Sequence, residues 1–579
     1  MQPENMNVDA LDVWSPLVDQ RFAISGVDAH SQLSSYDAEL ALVHKAYVMA
    51  KRRRNMLAPA CRVPSEVLSA IFALAQLDWI PEYSAQEGDE GVYDLGWIYV
   101  SHVCSHWRDV ALRTPSLWNT INCLALPHRS AFSVYHRSKR LPLSLTVRTN
   151  TNLYDYEELK RAATAWLTPI VCSRINAVTL LDCVDEDLAL VAAVCSQHMP
   201  ELSCLEVCAE VDETVQCLPA RFCSGARPAK VTLFGCLPHW NTTLLSPALT
   251  HLSLHAGTSV NGALLPPWAH FAALLSSLQL LEELHLDDIF PPVLFNTPYT
   301  VVALPSSLKT LDLAASRYCY QCLKFFVSLQ IPPKSQVNIV MKEIEPPQFV
   351  EDIVTELPSA LKMLHGTDEN DALPAELVVD PFTVDIYMDE LRGESWTTDT
   401  IRDSHVRATS GPRAHMSVHP GEALQDAWER SALRVIPHLL TLPLHNLSAL
   451  ALSRVAVEVL VQGGHVSGLS AAKGVRLGLE VRGYAMLLAV LCVGDLDRGF
   501  DLLPALEIVH LHIGASDSKT GISESDCTSD MLALAYFVTE RRDGGAPLKE
   551  IVVQKGLENW DVWDAVRSVV TVNFVAFNT

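Results

Sequence analysis

The chain has 579 residues, too many for one core, and at roughly 150 residues per domain it should form three or four domains or one long repeat array. Forty-three Lys and Arg stand against 67 Asp and Glu, and a formal net charge of −24 excludes a general binder of nucleic acid or anionic membrane. Hydrophobic residues make up 49% and charged residues 19%, enough apolar material for a packed core, which excludes disorder overall.

Residues 1–34 show no steady period and read as a loose N-terminal segment. The opening Met1-Gln-Pro-Glu-Asn5 has no basic stretch leading into an apolar one, so no secretory signal is expected. Residues 35–56 turn helical, with Leu40, Leu42, Val43, Tyr47, Val48 and Met56 on the apolar stripe. Lys51-Arg-Arg-Arg54 falls in the last turns, where cations suit the negative end of the helix dipole.

Residues 57–125 are the most informative. Pro64 fits a helix start and Glu66 meets the dipole there. Val67, Leu68, Ile71, Phe72, Leu74 and Ala75 then give one apolar face. Residues 76–96 are rich in carboxylates, Pro81 and Gly, and predict an exposed acidic loop. A second helix is expected from Trp97, with Val100, Val103, Cys104, Trp107, Val110 and Ala111 at offsets 0, 3, 4, 7, 10 and 11 on a single stripe. Thr114-Pro115 stops it.

Past residue 140 a short signature recurs, apolar-x-x-apolar-x-apolar. It appears as Ile175/Val178/Leu180, Leu202/Leu205/Val207, Leu249/Leu252/Leu254, Leu281/Leu284/Leu286 and Leu308/Leu311/Leu313. It returns as Leu447/Leu450/Leu452, Leu506/Val509/Leu511 and Leu548/Ile551/Val553, with partial copies at Val231/Leu233, Val337/Ile339, Val384/Ile386 and Val475/Leu477. One strand plus a return segment per unit of about 20–29 residues is the leucine-rich solenoid period. Each strand buries alternate residues and cannot close a core alone, so neighbours must stack. Residues 140–388 and 426–579 would be two parts of this array. The polar, Gly/Pro-punctuated stretch 389–425 reads as an insertion or linker between them. Glu186–Gln197 and His270–Leu281 look like helical returns.

The fold class expected is therefore α/β: a short helical bundle followed by a leucine-rich-repeat-like solenoid with a parallel curved sheet. On its strands, the residues between the apolar positions point away from the core. They include Lys230, Thr232, His251, Ser253, His255, Glu283, His285, Asp287, Asp312, His510 and His512. A face of histidines, carboxylates and hydroxyls suits another protein's surface, and these are the candidate substrate-binding residues.

No nucleophile elbow, phosphate loop, zinc-protease motif or kinase set is present, so no catalytic residue is assigned. Cys319-Tyr-Gln-Cys322 is a lone C-x-x-C and reads as two buried thiols. Cys204 and Cys208 lack His partners at ligand spacing. No metal or cofactor is expected. The fifteen cysteines read as reduced thiols, and the longest apolar run, Tyr484–Val493, is about half a membrane span. A cytoplasmic or nuclear protein, monomeric outside any complex, is the expectation.

Val63-Pro-Ser-Glu-Val-Leu-Ser-Ala-Ile-Phe72, Ile98-Tyr-Val-Ser-His-Val-Cys-Ser-His-Trp-Arg-Asp-Val-Ala111 and Pro115-Ser-Leu-Trp118 together resemble the F-box. More narrowly, they are similar to the F-box-like module of mushroom-type fungal proteins. That resemblance covers roughly residues 36–125 by motif and the rest by architecture. It departs in Val63, where the family usually has Leu, and in a longer internal loop. The resemblance implies docking on a Skp-type adaptor of a cullin ubiquitin ligase, with the repeats selecting a target protein. By position, Val63, Pro64, Leu68, Phe72, Val100, Val103 and Trp107 would carry the docking or the packing behind it. Catalysis would belong to partner subunits. The alternatives are a repeat scaffold without ligase recruitment, and an enzyme built on Cys319/Cys322 or the strand histidines.

Overall fold

A computed structural model describes the chain apart from residues 1–5, 24–27, 85–91, 150–155, 211–214, 257–261, 293–299, 317, 345–355, 357–358, 361–362, 364–375, 380–382, 388–413, 421–446, 465, 468, 470–473, 496–498, 515–520 and 576–579. It divides into two compact units, Met1–Arg174 and Ile175–Thr579.

The first unit begins with helices, which corrects the expectation of a loose start. Helix α1 spans Met6–Arg21 and α2 spans Ala29–Asn55. Asp28 caps α2 by accepting from the backbone N–H groups of His30 and Ser31, satisfying orphan donors of the first turn. Tyr36 donates to the Phe22 carbonyl, and Arg21 pairs with Glu39 at 2.7 Å, so the end of α1 is tied to α2.

Helix α3, Ser65–Asp78, sends Leu68 and Phe72 inward. The region expected as a loop has regular structure on either side of residues 85–91, which lie outside the described residues. α3 runs three residues into it, and Glu82–Ser84 (β1) pairs antiparallel with Val92–Asp94 (β2). Gly96 makes the closure possible. Its φ is +51°, and a Cβ there would lie 2.6 Å from the Trp79 carbonyl oxygen, so only glycine fits. The N–H of Trp97 then donates to that same carbonyl.

The expected single helix after Trp97 is two. α4, Val100–Val103, and α5, Ser105–Arg113, are separated by Cys104, whose backbone is extended at φ −157°, ψ 170°. One extended residue resets the helical phase, so the six-residue stripe does not share one side. Val100, Val110 and Ala111 are buried, whereas Val103 is exposed. The Cys104 sulfur accepts from the N–H of Trp107, serving as a helix cap in place of a hydroxyl. After these helices, Thr120–Asn122 (β3) pairs in parallel with Leu143–Arg148 (β4). Ala131–Arg137 (α6) lies between them in sequence, and Tyr156–Trp166 (α7) follows.

The second unit is mixed α/β around a large, mostly parallel sheet. Its strands are Ile175–Cys183 (β5), Cys204–Ala209 (β6), Lys230–Phe234 (β7), His251–His255 (β8), Glu283–Asp287 (β9), Thr310–Ala315 (β10) and Gln336–Ile344 (β11). They continue as Glu376–Val379 (β12), Thr383–Tyr387 (β13), Ala414–Pro420 (β14), Ala449–Leu452 (β15), Arg476–Glu480 (β16), Ile508–His512 (β17), Glu550–Gln554 (β18) and Thr571–Val575 (β19). β5 to β11 stack in chain order and in parallel. The order then reverses locally: β14 pairs with β11, β13 and β12 follow as antiparallel neighbours, and β12 hands the sheet to β15. β15 to β19 resume the parallel stacking. Strand β14 lies inside the stretch read as a linker, which corrects that reading for residues 414–420; residues 389–413 and 421–425 lie outside the described residues.

The registers show why the signature works. Leu205, Val231, Leu252, Leu284, Leu311 and Val337 are successive partners across β6 to β11, and so are Val207, Leu233, Leu254, Leu286, Leu313 and Ile339. All twelve are buried, forming two continuous apolar ladders. Helices such as Asp185–Val194, Trp268–Ser277 and Cys319–Val327 connect strands, close to two of the helical returns expected from the sequence. The buried Asp288, at the end of β9, accepts from the N–H groups of Ser316 and Tyr318 and from the Ser316 hydroxyl, tying one turn to the next.

Candidate functional site

In the first unit the docking candidates fall into two groups. Leu68, Phe72 and Val100 are enclosed by their own chain, so they supply packing and not contact surface. Trp107 is half-buried: its ring lies 5.3 Å from that of Phe72, and its indole N–H donates to the Ala60 carbonyl at 2.9 Å. Val63 is half-buried too, its carbonyl 3.2 Å from the His106 ring. The Cys61 and Cys104 sulfurs, 3.6 Å apart, add another tie. These bonds hold the segment before Pro64 against the start of α5. Pro64 and Val103 face solvent.

Helix α3 carries two apolar faces where the sequence suggested one. Successive helical residues are turned by about 100°, so Leu68 and Phe72 point inward while Val67, Ile71 and Leu74 form an adjacent stripe. That stripe is open, with Leu74 66% exposed, and Leu77, Trp79 and Ile80 at the helix end are open as well. Sequence reasoning placed Val67, Ile71 and Leu74 on one apolar face with Leu68 and Phe72. The available signal was width, because the apolar arc is broader than one packing face uses.

In the second unit, the side of β6 to β11 opposite the ladders presents three rows. The first carries Cys204, Lys230, His251, Glu283, Thr310 and Gln336. The second carries Glu206, Thr232, Ser253, His285, Asp312 and Asn338. The third carries Cys208, Phe234, His255, Asp287, Ala314 and Val340. The structure thus brings together every strand-face candidate from Lys230 to Asp312.

His285 is the hub of this band. Its Nδ1 lies 2.6 Å from Asp312 and its Nε2 3.7 Å from Glu283, whose other oxygen is 3.6 Å from His251. Burial pulls the His285 pKa down, but the bond to Asp312 and the charges of Asp312 and Glu283 outweigh it, and the net shift is upward. His255 lies 3.9 Å from Asp287 and shares a hydrogen bond with Ser253 at 2.7 Å. Phe234, which sequence reasoning missed, is exposed beside His255, with ring centroids 5.9 Å apart. Its position directly after the signature Leu233, two residues on from Thr232 and so on the same side of the strand, was the clue.

His510 and His512 are not part of that open band. They lie on β17 and are buried, 5% and 2% exposed. Burial lowers both to a pKa of about 4, helped at His510 by the Arg476 cation, so both rings are neutral near pH 7. This corrects their placement on a solvent-facing surface. The sheet around them is covered on both sides: Ala449, Ala451, Arg476 and Gly478 share their side, and both Ala449 and Ala451 are buried. Glu376 and Arg476 form a buried ion pair at 2.7 Å across the small Ala449.

Chemistry by the Cys319/Cys322 pair is disfavoured. Cys319 and Cys322 are buried on one helix, and burial, then the nearby Asp288 carboxylate, pushes the Cys319 thiol up to about 12. Cys322 is raised as well, again chiefly by burial, so both stay protonated and neither offers a thiolate. Among the described residues no group of three or more His, Cys, Asp or Glu is arranged to hold a metal ion, and no helix is long and apolar enough to cross a membrane.

No known family model matches this chain, and no curated protein matches it.

Proposed function

We propose that this chain is a non-catalytic receptor that links a target protein to a Skp–cullin–F-box ubiquitin ligase. Residues 57–125 would be the F-box-like adaptor module, and the strands beyond residue 140 a leucine-rich-repeat-like solenoid that holds the target. The observation that carries the reading is the open stripe Val67, Ile71 and Leu74 beside Pro64, followed by Leu77, Trp79 and Ile80. A contiguous apolar surface of this kind marks a protein-binding site more often than idle surface. The motif pieces around it support the adaptor, and the two leucine ladders support the repeats. The polar band from Lys230 to Asp312, with Phe234 as an aromatic anchor, supports target capture. On this reading the partners are an adaptor and one protein target, in cytoplasm or nucleus.

The test is capture of a Skp-type adaptor by the full chain. Wild type should bind, and Val67→Asp/Ile71→Asp/Leu74→Asp should not, with unchanged circular dichroism because these side chains are exposed. A folded wild type that fails to bind removes the ligase role. In that case the second reading stands, a repeat scaffold without recruitment. Its support is that Leu68, Phe72 and Val100 already have partners within the chain.

A further inference from the structure

Helix α2 has 27 residues and not one buried side chain. Most helical stability in proteins comes from packing an apolar face, so a helix this long and uncovered implies a missing neighbour. Its apolar residues supply the repeat: Leu33, Tyr36, Leu40, Val43, Tyr47 and Ala50 alternate at three- and four-residue steps, the a and d positions of a heptad. Five of the six are exposed, and Tyr36 is half-covered by Phe22.

The charges identify the neighbour. The N-terminal half carries Asp37 and Glu39 behind the capping Asp28, whereas the C-terminal half carries Lys45 and Lys51-Arg-Arg-Arg54. A second copy laid parallel would set cations on cations. Laid antiparallel, it sets each acidic half against a basic half and opposes the two helix dipoles. The stripe fits that arrangement under two-fold symmetry. Leu33 falls opposite the partner's Ala50, Tyr36 opposite the partner's Tyr47, and Leu40 opposite the partner's Val43 next to the axis. All six positions pair in a single register, and the seam fills most of a helix about 40 Å long.

We infer that α2 is a homodimerisation element that forms an antiparallel two-stranded coiled coil with a second copy of this chain. This is independent of the adaptor reading, since it uses α2 alone and leaves the α3 stripe free. It also replaces the expectation of a monomer. Each assembly would carry two polar strand faces, so a target with two sites would be held by both.

Light scattering coupled to size-exclusion chromatography of the full chain should give twice the chain mass at micromolar concentration. Leu40→Glu/Val43→Glu should weaken the dimer by ~100-fold or more, because it buries charges at the centre of the seam. Both sites are exposed in the single chain, so its circular dichroism should not change. A benzophenone amino acid at position 33 should cross-link to the peptide containing Ala50. A monomeric wild type, a dimer indifferent to Leu40→Glu/Val43→Glu, or cross-links from position 33 to position 33 would each overturn the inference. Adaptor capture by the monomeric variant separates this result from the ligase reading.

Discussion

Acid should unfold the second unit through His510 and His512. Both are neutral in the folded chain, with pKa values lowered to about 4 by burial, against an ordinary 6.5. The folded state therefore binds fewer protons than the unfolded chain between these values. The stabilisation is complete above 6.5 and is lost as the pH falls towards about 4. At pH 5 the unfolded imidazoles are almost fully protonated and the folded ones are not, a loss of about 2 kcal/mol per histidine relative to pH 7, or about 4 for the pair. Carboxylates with ordinary pKa values contribute little in that interval. Urea unfolding followed by circular dichroism at pH 7, 6 and 5 measures the slope. The variant His510→Gln/His512→Gln cannot take up these protons and should lose most of it. If wild type and variant lose stability in parallel between pH 7 and 5, the two rings are hydrated in the folded chain and the reasoning fails.

Three further outcomes follow from other sites. Glu376→Gln should destabilise the second unit by about 3–5 kcal/mol because it removes the carboxylate that lies 2.7 Å from the buried Arg476, while Glu376→Leu/Arg476→Met should recover most of that in calorimetry. Gly96→Ala should cost the first unit roughly 1–3 kcal/mol, since the added methyl meets backbone at a positive φ, and thermal unfolding of residues 1–174 within the full chain reads it. Asp312→Asn should lower the pKa of His285, seen by proton NMR of its ring. The stability this pair adds in wild type is present below the ordinary histidine value of 6.5 and fades as the pH rises through the raised one, so the variant should flatten that part of the profile.

The parallel strands were legible because their information is local. A strand that must bury every second residue writes that rule into four or five positions, and Leu252/Leu254 or Leu284/Leu286 can be read without knowing the neighbour. Hence the ladders from Leu205 to Ile339, and the band His251, Glu283, His285 and Asp312 opposite them, could be inferred from spacing. The same rule says which side of its own strand a residue takes, but not what lies above that side. His510 and His512 obey the same alternation as His251 and His255, yet one pair is buried and the other half-open.

The helical half shows the same division. The alternation of apolar residues located α3 and α5, but an apolar arc does not declare which part packs inward. That was decided when Phe72 met Trp107 and left Val67 and Leu74 uncovered. A single dihedral pair at Cys104 turned Val103 out of a stripe that looked continuous in the sequence. The sequence by itself determined element type, strand facing and the polar composition of the face, because these depend on neighbours within one or two turns. Only the tertiary structure decided burial and sheet order, including the reversal at β12 to β14, because these depend on segments tens of residues away.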